Sequence, residues 1–88
     1  MTALLEDKII LVTGASSGIG REAAIMMAEH GAKIVAAARR ESDLFKTVNQ
    51  IEANGCRATY VVTDVTLPEQ IERAVQHSVA HFGGLDAA

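Results

Sequence analysis

Apolar positions along this chain alternate between short unbroken runs and longer spaced patterns. Lys8-Ile-Ile-Leu-Val12 is continuous and stops just before Gly14. Such a run suits a strand covered on both faces. From Gly18 the spacing changes. Ile19, Ala23, Met26, Met27 and His30 recur at helical intervals, and Gly31 follows as a stop. Lys33-Ile-Val-Ala-Ala-Ala38 predicts a second strand. Ser42 is placed to cap a second helix that carries Leu44, Val48 and Ile51 on one face and ends at Gly55. Arg57-Ala-Thr-Tyr-Val-Val62 is rich in β-formers and predicts a third strand. Thr66 and Glu69 then have capping-box spacing with Pro68 in the first turn. Ile71, Val75, Val79 and Phe82 mark the buried stripe of this third helix, and Gly83-Gly84 closes it. Leu85-Asp86-Ala87-Ala88 predicts the entry to a fourth strand.

The order is therefore β-α-β-α-β-α plus a strand stub. Strands separated by helices imply parallel pairing with right-handed crossovers. The predicted class is α/β, a doubly wound parallel sheet of Rossmann type with helices on both faces. Residues 1–88 make at most one domain, and no linker, low-complexity tract or charge block divides them.

Composition narrows the function classes. Hydrophobic residues make up 49% and charged residues 22%, a balance that folds rather than stays disordered. With two Phe, one Tyr and no Trp, the core must be aliphatic. The net charge of −3 argues against a general nucleic-acid binder. Cys56 is the single cysteine, so neither an internal disulfide nor a cysteine-based zinc site is available. The longest apolar run, Ala23 to Ala28, falls far short of the ~18–20 residues that span a bilayer. Met1 to Asp7 carries two acids and no base, unlike a signal peptide. A soluble, cytoplasmic protein with no membrane partner is expected.

The segment with the most chemistry is Thr13-Gly14-Ala15-Ser16-Ser17-Gly18-Ile19-Gly20, between the first strand and the first helix. This is where a doubly wound sheet binds phosphates. Gly14 permits a sharp exit from the strand, Gly18 lets the backbone approach a diphosphate, and Gly20 lets the helix pack close to the sheet. Free N–H groups at the helix start then face the anion, with Ser16 and Ser17 adding hydroxyls. A ligand-free glycine turn is the alternative, but the flanking strand and helix are those the fingerprint requires. No Gly-Lys-Ser/Thr closes the loop, and Arg21 stands nearest that position, which argues against a P-loop NTPase.

The spacing Gly-x-x-x-Gly-x-Gly in Thr-Gly-Ala-Ser-Ser-Gly-Ile-Gly closely resembles the nucleotide signature of the short-chain dehydrogenase/reductase family. Ala-Arg-Arg at 38–40, Asp64-Val65 after the third strand and Phe82-Gly-Gly-Leu-Asp86 before the fourth agree with it. The resemblance covers essentially the whole chain. It implies a nicotinamide cofactor and reversible hydride transfer between an alcohol and a ketone. It also implies that these residues are the N-terminal part of a longer, homo-oligomeric enzyme. The family's catalytic Ser and Tyr-x-x-x-Lys pair have no counterpart here. Tyr60 is the only tyrosine, and Asp64 stands where the lysine would be. No catalytic or metal-binding residue is assigned.

The resemblance places Ala38 where an acidic residue would select NAD, with Arg39 and Arg40 following. A guanidinium pairs with a 2′-phosphate that a carboxylate would repel. The expected cofactor is NADP(H) rather than NAD(H), with Arg39 as main contact and Arg40 as helper. Asp64 resembles the residue that receives the adenine amino group, with Val65 beside the ring; a local Asx turn is the plainer role for Asp64. The cofactor-binding set is thus Gly14, Ser16, Ser17, Gly18, Ile19, Gly20, Arg39, Arg40, Asp64 and Val65. The alternative function is a noncatalytic nucleotide-binding module that keeps the adenine half-site.

The remaining features read as structural. His77 and His81 are i, i+4 but lack a third ligand and read as solvated. His30 suits a helix C-terminus. Cys56, Met26 and Met27 read as packing residues. If strand four is only a stub, Lys8–Val12 should expose an unpaired apolar edge that invites self-association.

Overall fold

The computed structural model describes residues 4–88. Three strands, β1 (Ile9–Thr13), β2 (Lys33–Ala38) and β3 (Ala58–Val62), alternate with three helices, α1 (Gly18–Glu29), α2 (Glu41–Ala53) and α3 (Pro68–Phe82). The sheet is parallel throughout, ordered β1-β2-β3, with Ile9 opposite Lys33 and Ile34 opposite Ala58. Among the described residues no helix is long and apolar enough to cross a membrane.

The period-two alternation of β2 divides the core into two layers. Ile34, Ala36 and Ala38 face one side, where Ala24, Ile25 and Ala28 of α1 and Leu44, Val48 and Ile51 of α2 close over them. Val35 and Ala37 face the other side, with Ile9, Leu11 and Ala74 of α3. Two crossovers in the same direction place α1 and α2 on one face, and α3 crosses the other as the chain returns past β1. The alanines of β2 leave room for helices on both faces.

That return is completed by the stub. Ile10 forms a parallel bridge with Ala87. The Leu11 N–H donates to the Ala87 carbonyl at 2.9 Å, and the Asp86 N–H donates to the Ile9 carbonyl at 2.8 Å. The Asp86 carboxylate adds a bond from the Ile9 N–H at 2.8 Å. The edge of β1 expected to be bare is therefore paired from Ile9 to Leu11. β1 is flanked on both sides, and the crossover direction changes beside it.

Three local expectations are corrected. Ser42 does not cap α2. Arg40 is the N-cap residue, without a side-chain bond, and Glu41 and Asp43 occupy the first turn, where acids complement the helix dipole. The Thr66–Glu69 capping box is also absent, and Leu67 is the N-cap of α3. The Thr66 hydroxyl is instead drawn to the Asp64 carboxylate at 2.6 Å, a charge-assisted bond. Finally, the buried stripe of α3 is centred on Ala74 and Ser78, flanked by Val75 and Phe82, while Ile71 and Val79 are 39% and 51% exposed. Small residues sit at the line of closest helix–sheet approach. Ser78 is tolerated there because its hydroxyl donates to the Gly84 carbonyl at 2.7 Å. Met26 likewise faces outward, whereas Met27 packs on the core.

His77 is not simply solvated. Its Nε2 lies 3.1 Å from the Thr59 hydroxyl, and its ring stacks on His81 at 5.9 Å. Partial burial, and then the charge of His81, push its pKa below the ordinary histidine value. The unfolded chain therefore binds the proton more readily than the folded one. The neutral ring's contribution to stability is present above the unfolded pKa of about 6.5 and is lost as pH falls through the lower folded value. Melting temperature should fall more steeply between pH 7 and pH 5 in the wild type than in His77→Gln. Parallel profiles would show that His77 contributes nothing to acid sensitivity.

Candidate functional site

The C-terminal ends of the three strands lie on one edge of the sheet, so the loops that leave them converge. The first, between β1 and α1, is held by backbone geometry. Gly14 and Gly18 have φ of +68° and +58°, the left-handed region that side chains with a Cβ rarely adopt. Ala15 between them is fully buried, and its N–H reaches the Ala37 carbonyl at 3.5 Å. Gly20 has a different reason. A Cβ there would lie 2.1 Å from the Gly14 carbonyl oxygen. The first turn of α1 thus packs on the loop's own backbone, not on the sheet as the motif alone suggested.

α1 begins after Ser17, its N-cap, which is extended (φ −161°, ψ 164°) and whose hydroxyl makes no capping bond. The Arg21 N–H is the first to bond back, to the Ser17 carbonyl at 3.3 Å. The N–H groups of Gly18, Ile19 and Gly20 precede the intrahelical ladder, at the positive end of the helix dipole.

The second loop carries Arg39 and Arg40, both exposed. Among the described residues the ion pair is Lys33 Nζ with Asp7 Oδ1 at 3.9 Å, which leaves both guanidinium groups free for an anion. The third loop is tied by Asp64. Its Oδ1 accepts from the Thr66 N–H at 2.9 Å as well as from the Thr66 hydroxyl, and its own N–H donates to Gln70 Oε1 at 2.7 Å. The Asx turn weighed for Asp64 is therefore present, with Oδ2 left over. The Thr66 hydroxyl first, the Thr66 N–H next and the Arg39 charge last hold the Asp64 carboxyl below its ordinary pKa, against the opposing effect of burial.

These loops enclose a groove of about 490 Å³. Gly14, Ser16, Ser17, Arg39, Arg40, Asp64 and Val65 of the candidate set line it. Gly18 and Ile19 instead line a larger concavity of about 680 Å³ along the outer side of α1, with Met26, Met27 and Gln50. Gly20, half-buried against the loop backbone, lines neither. The larger concavity is mostly hydrocarbon, with Ile19 89% exposed. The smaller groove holds the cations, the carboxylate and the serines, and it has the composition of a site for a phosphorylated, hydrogen-bonding ligand. Thr63, Thr66 and Asp43 also line it and were not assigned to the site from the sequence. Neither was Thr47, the buried α2 residue whose hydroxyl donates to the Ala15 carbonyl at 2.9 Å. Strand-end position was the available signal for Thr63. For Thr47 it was the register shared with Leu44 and Ile51.

Comparison with known proteins agrees with this fold. A family model described as short chain dehydrogenase matches residues 8–87. The A-factor type gamma-butyrolactone 1'-reductase (1S-forming) of Streptomyces virginiae is 52% identical over 85 residues, covering 97% of this chain and 33% of that protein. The oxidoreductase Lmo0432 of Listeria monocytogenes is 45% identical over 83 residues, covering 94% and 34%. Among solved structures, a hydroxysteroid dehydrogenase from Escherichia coli superposes with a TM-score of 0.93 at 27% identity, covering 97% of this chain and 36% of that one. A short-chain type dehydrogenase/reductase from Mycobacterium marinum gives 0.90 at 36% identity, covering 99% and 37%. The chain spans about a third of the length of the curated relatives it matches.

Proposed function

This chain belongs to the short-chain dehydrogenase family, and from that premise we propose that it supplies the adenosine-binding part of an NADP-dependent oxidoreductase that interconverts alcohols and ketones. The observation that carries the reading is the shared groove. Two guanidiniums free of ion pairs, a strand-end carboxylate and two serine hydroxyls line one concavity at the sheet's C-terminal edge. That edge, beside the strand where the crossover direction changes, is where doubly wound sheets bind ligands.

The residues fit a dinucleotide. The open space around Gly18, where a Cβ would meet nothing within 4 Å, leaves its backbone accessible to a diphosphate. Arg39 and Arg40 oppose a 2′-phosphate, and Ala38 adds no competing carboxylate at that point. Asp64 Oδ2 accepts from the adenine amino group, and Val65 covers the ring. When bound, the cofactor supplies the hydride. The contribution of these residues is to orient it and to neutralise its phosphates. Tyr60 is followed four residues on by Asp64, so this chain contributes no tyrosine–lysine pair for proton transfer. The surrounding protein acts in the cytoplasm, on a small alcohol or carbonyl compound, as a homo-oligomer.

Calorimetric titration of the chain with 2′,5′-ADP and with 5′-AMP tests the assignment. Tighter binding of 2′,5′-ADP by ~10–100-fold is expected for phosphate contacts worth ~1.5–3 kcal/mol. Equal affinities would overturn the NADP preference. Binding of neither would overturn the nucleotide site.

A further inference from the structure

We propose that Thr47 is a positioning residue for phosphate recognition, acting on the glycine loop from the neighbouring helix. The proposal rests on the nucleotide reading above and adds to it a residue outside the loop motif. Thr47 sits in the second turn of α2, between the turn that follows Arg40 and the buried Ile51. Its side chain is fully buried, and its Oγ1 donates to the Ala15 carbonyl at 2.9 Å. The Asp43 carbonyl lies 3.2 Å from the same oxygen. The hydroxyl has one proton, and the nearer acceptor belongs to the loop.

The consequence follows from peptide geometry. The Ala15–Ser16 peptide is planar and trans, so its C=O and N–H point in opposite directions. With the carbonyl drawn into the core by Thr47, the Ser16 N–H is turned away from the packed layer. That N–H takes no acceptor within the protein among the described residues, and Ser16 lines the groove beside Arg39. Thr47 therefore presents an unspent backbone donor to a phosphate oxygen of the bound nucleotide. It also couples the helix that follows the two arginines to the loop that faces them. An apolar residue at this position would fill the same space but leave the Ala15 carbonyl buried without a donor and the peptide free to rotate.

The test is an amide-resolved NMR titration of the chain with 2′,5′-ADP, in wild type, Thr47→Val and Thr47→Ser. In wild type, the Ser16, Asp64 and Val65 amides should all shift. In Thr47→Val, the Asp64 and Val65 shifts should persist, the Ser16 shift should vanish, and affinity should fall about tenfold, as for loss of one charge-assisted donor. Thr47→Ser keeps the hydroxyl and should retain both the Ser16 shift and the affinity. An unchanged Ser16 shift in Thr47→Val overturns the proposal. So does loss of that shift in Thr47→Ser, which remains decisive if the valine variant fails to fold. A wild-type chain whose groove amides do not respond overturns the nucleotide reading itself, and with it this inference.

Discussion

Gly20→Ala is expected to unseat α1 from the glycine loop and to lower the melting temperature by roughly 15 °C, the effect of about 3 kcal/mol in a domain of this size. The added Cβ would lie 2.1 Å from the Gly14 carbonyl oxygen and 2.7 Å from its carbon. Both obstacles are backbone, so no rotamer change relieves the overlap. Either the helix moves away or the loop opens, and each exposes the buried Ala15. Gly18→Ala provides the contrast. A Cβ there meets nothing within 4 Å, and the cost is only that of a left-handed backbone, roughly 1–2 kcal/mol. Thermal melts followed by circular dichroism should therefore rank wild type, Gly18→Ala and Gly20→Ala in falling order. If Gly20→Ala melted above Gly18→Ala, the close approach would not be what requires glycine at position 20.

Arg39→Ala should leave the fold intact and abolish most of the NADP-over-NAD preference proposed above. Arg39 is exposed, so its removal breaks no core contact. Losing a charge-assisted contact to a 2′-phosphate costs ~1.5–3 kcal/mol, or ~10–100-fold in selectivity. Arg40→Ala should have a smaller effect in the same direction. The ratio of affinities for the two dinucleotides is the proper measure, because general electrostatic weakening affects both. A variant at position 39 with unchanged selectivity would move the recognition elsewhere in the groove. Asp64 should become easier to protonate in Arg39→Ala, since Arg39 contributes, after Thr66, to its lowered pKa.

Much of the architecture was legible because period and punctuation agreed. The unbroken run of β2 predicted Lys33–Ala38 and was observed over those residues. Gly31 and Gly55 have φ of +98° and +81°, as expected of residues that end helices. Helix starts were less legible. Ser42, and Thr66 with Glu69, have sequence signatures of caps, but a cap is a choice among competing acceptors. Thr66 found a charged one in Asp64, outside the helix. The face of α3 was misread for a related reason. Hydropathy ranks Ile71 and Val79 above Ala74 and Ser78, whereas close helix–sheet contact selects by size and by a bond for the serine hydroxyl.

The same division runs through the candidate site. The order of motifs along the chain was sufficient to predict an α/β fold with a glycine loop at the first crossover, because local periodicity and glycine spacing act within a few residues of one another. Resemblance to the short-chain dehydrogenase/reductase signature, not periodicity, brought Arg39, Arg40, Asp64 and Val65 to notice. Tertiary structure decided that these residues share one groove while Ile19 faces another, that Gly20 is required by the Gly14 carbonyl, and that Thr47 reaches the loop across 32 positions of sequence. Those outcomes depend on distances between segments far apart in the chain, set by how closely helices pack on the sheet and by where buried hydroxyls find acceptors. Neither quantity is encoded in the pattern of any single segment.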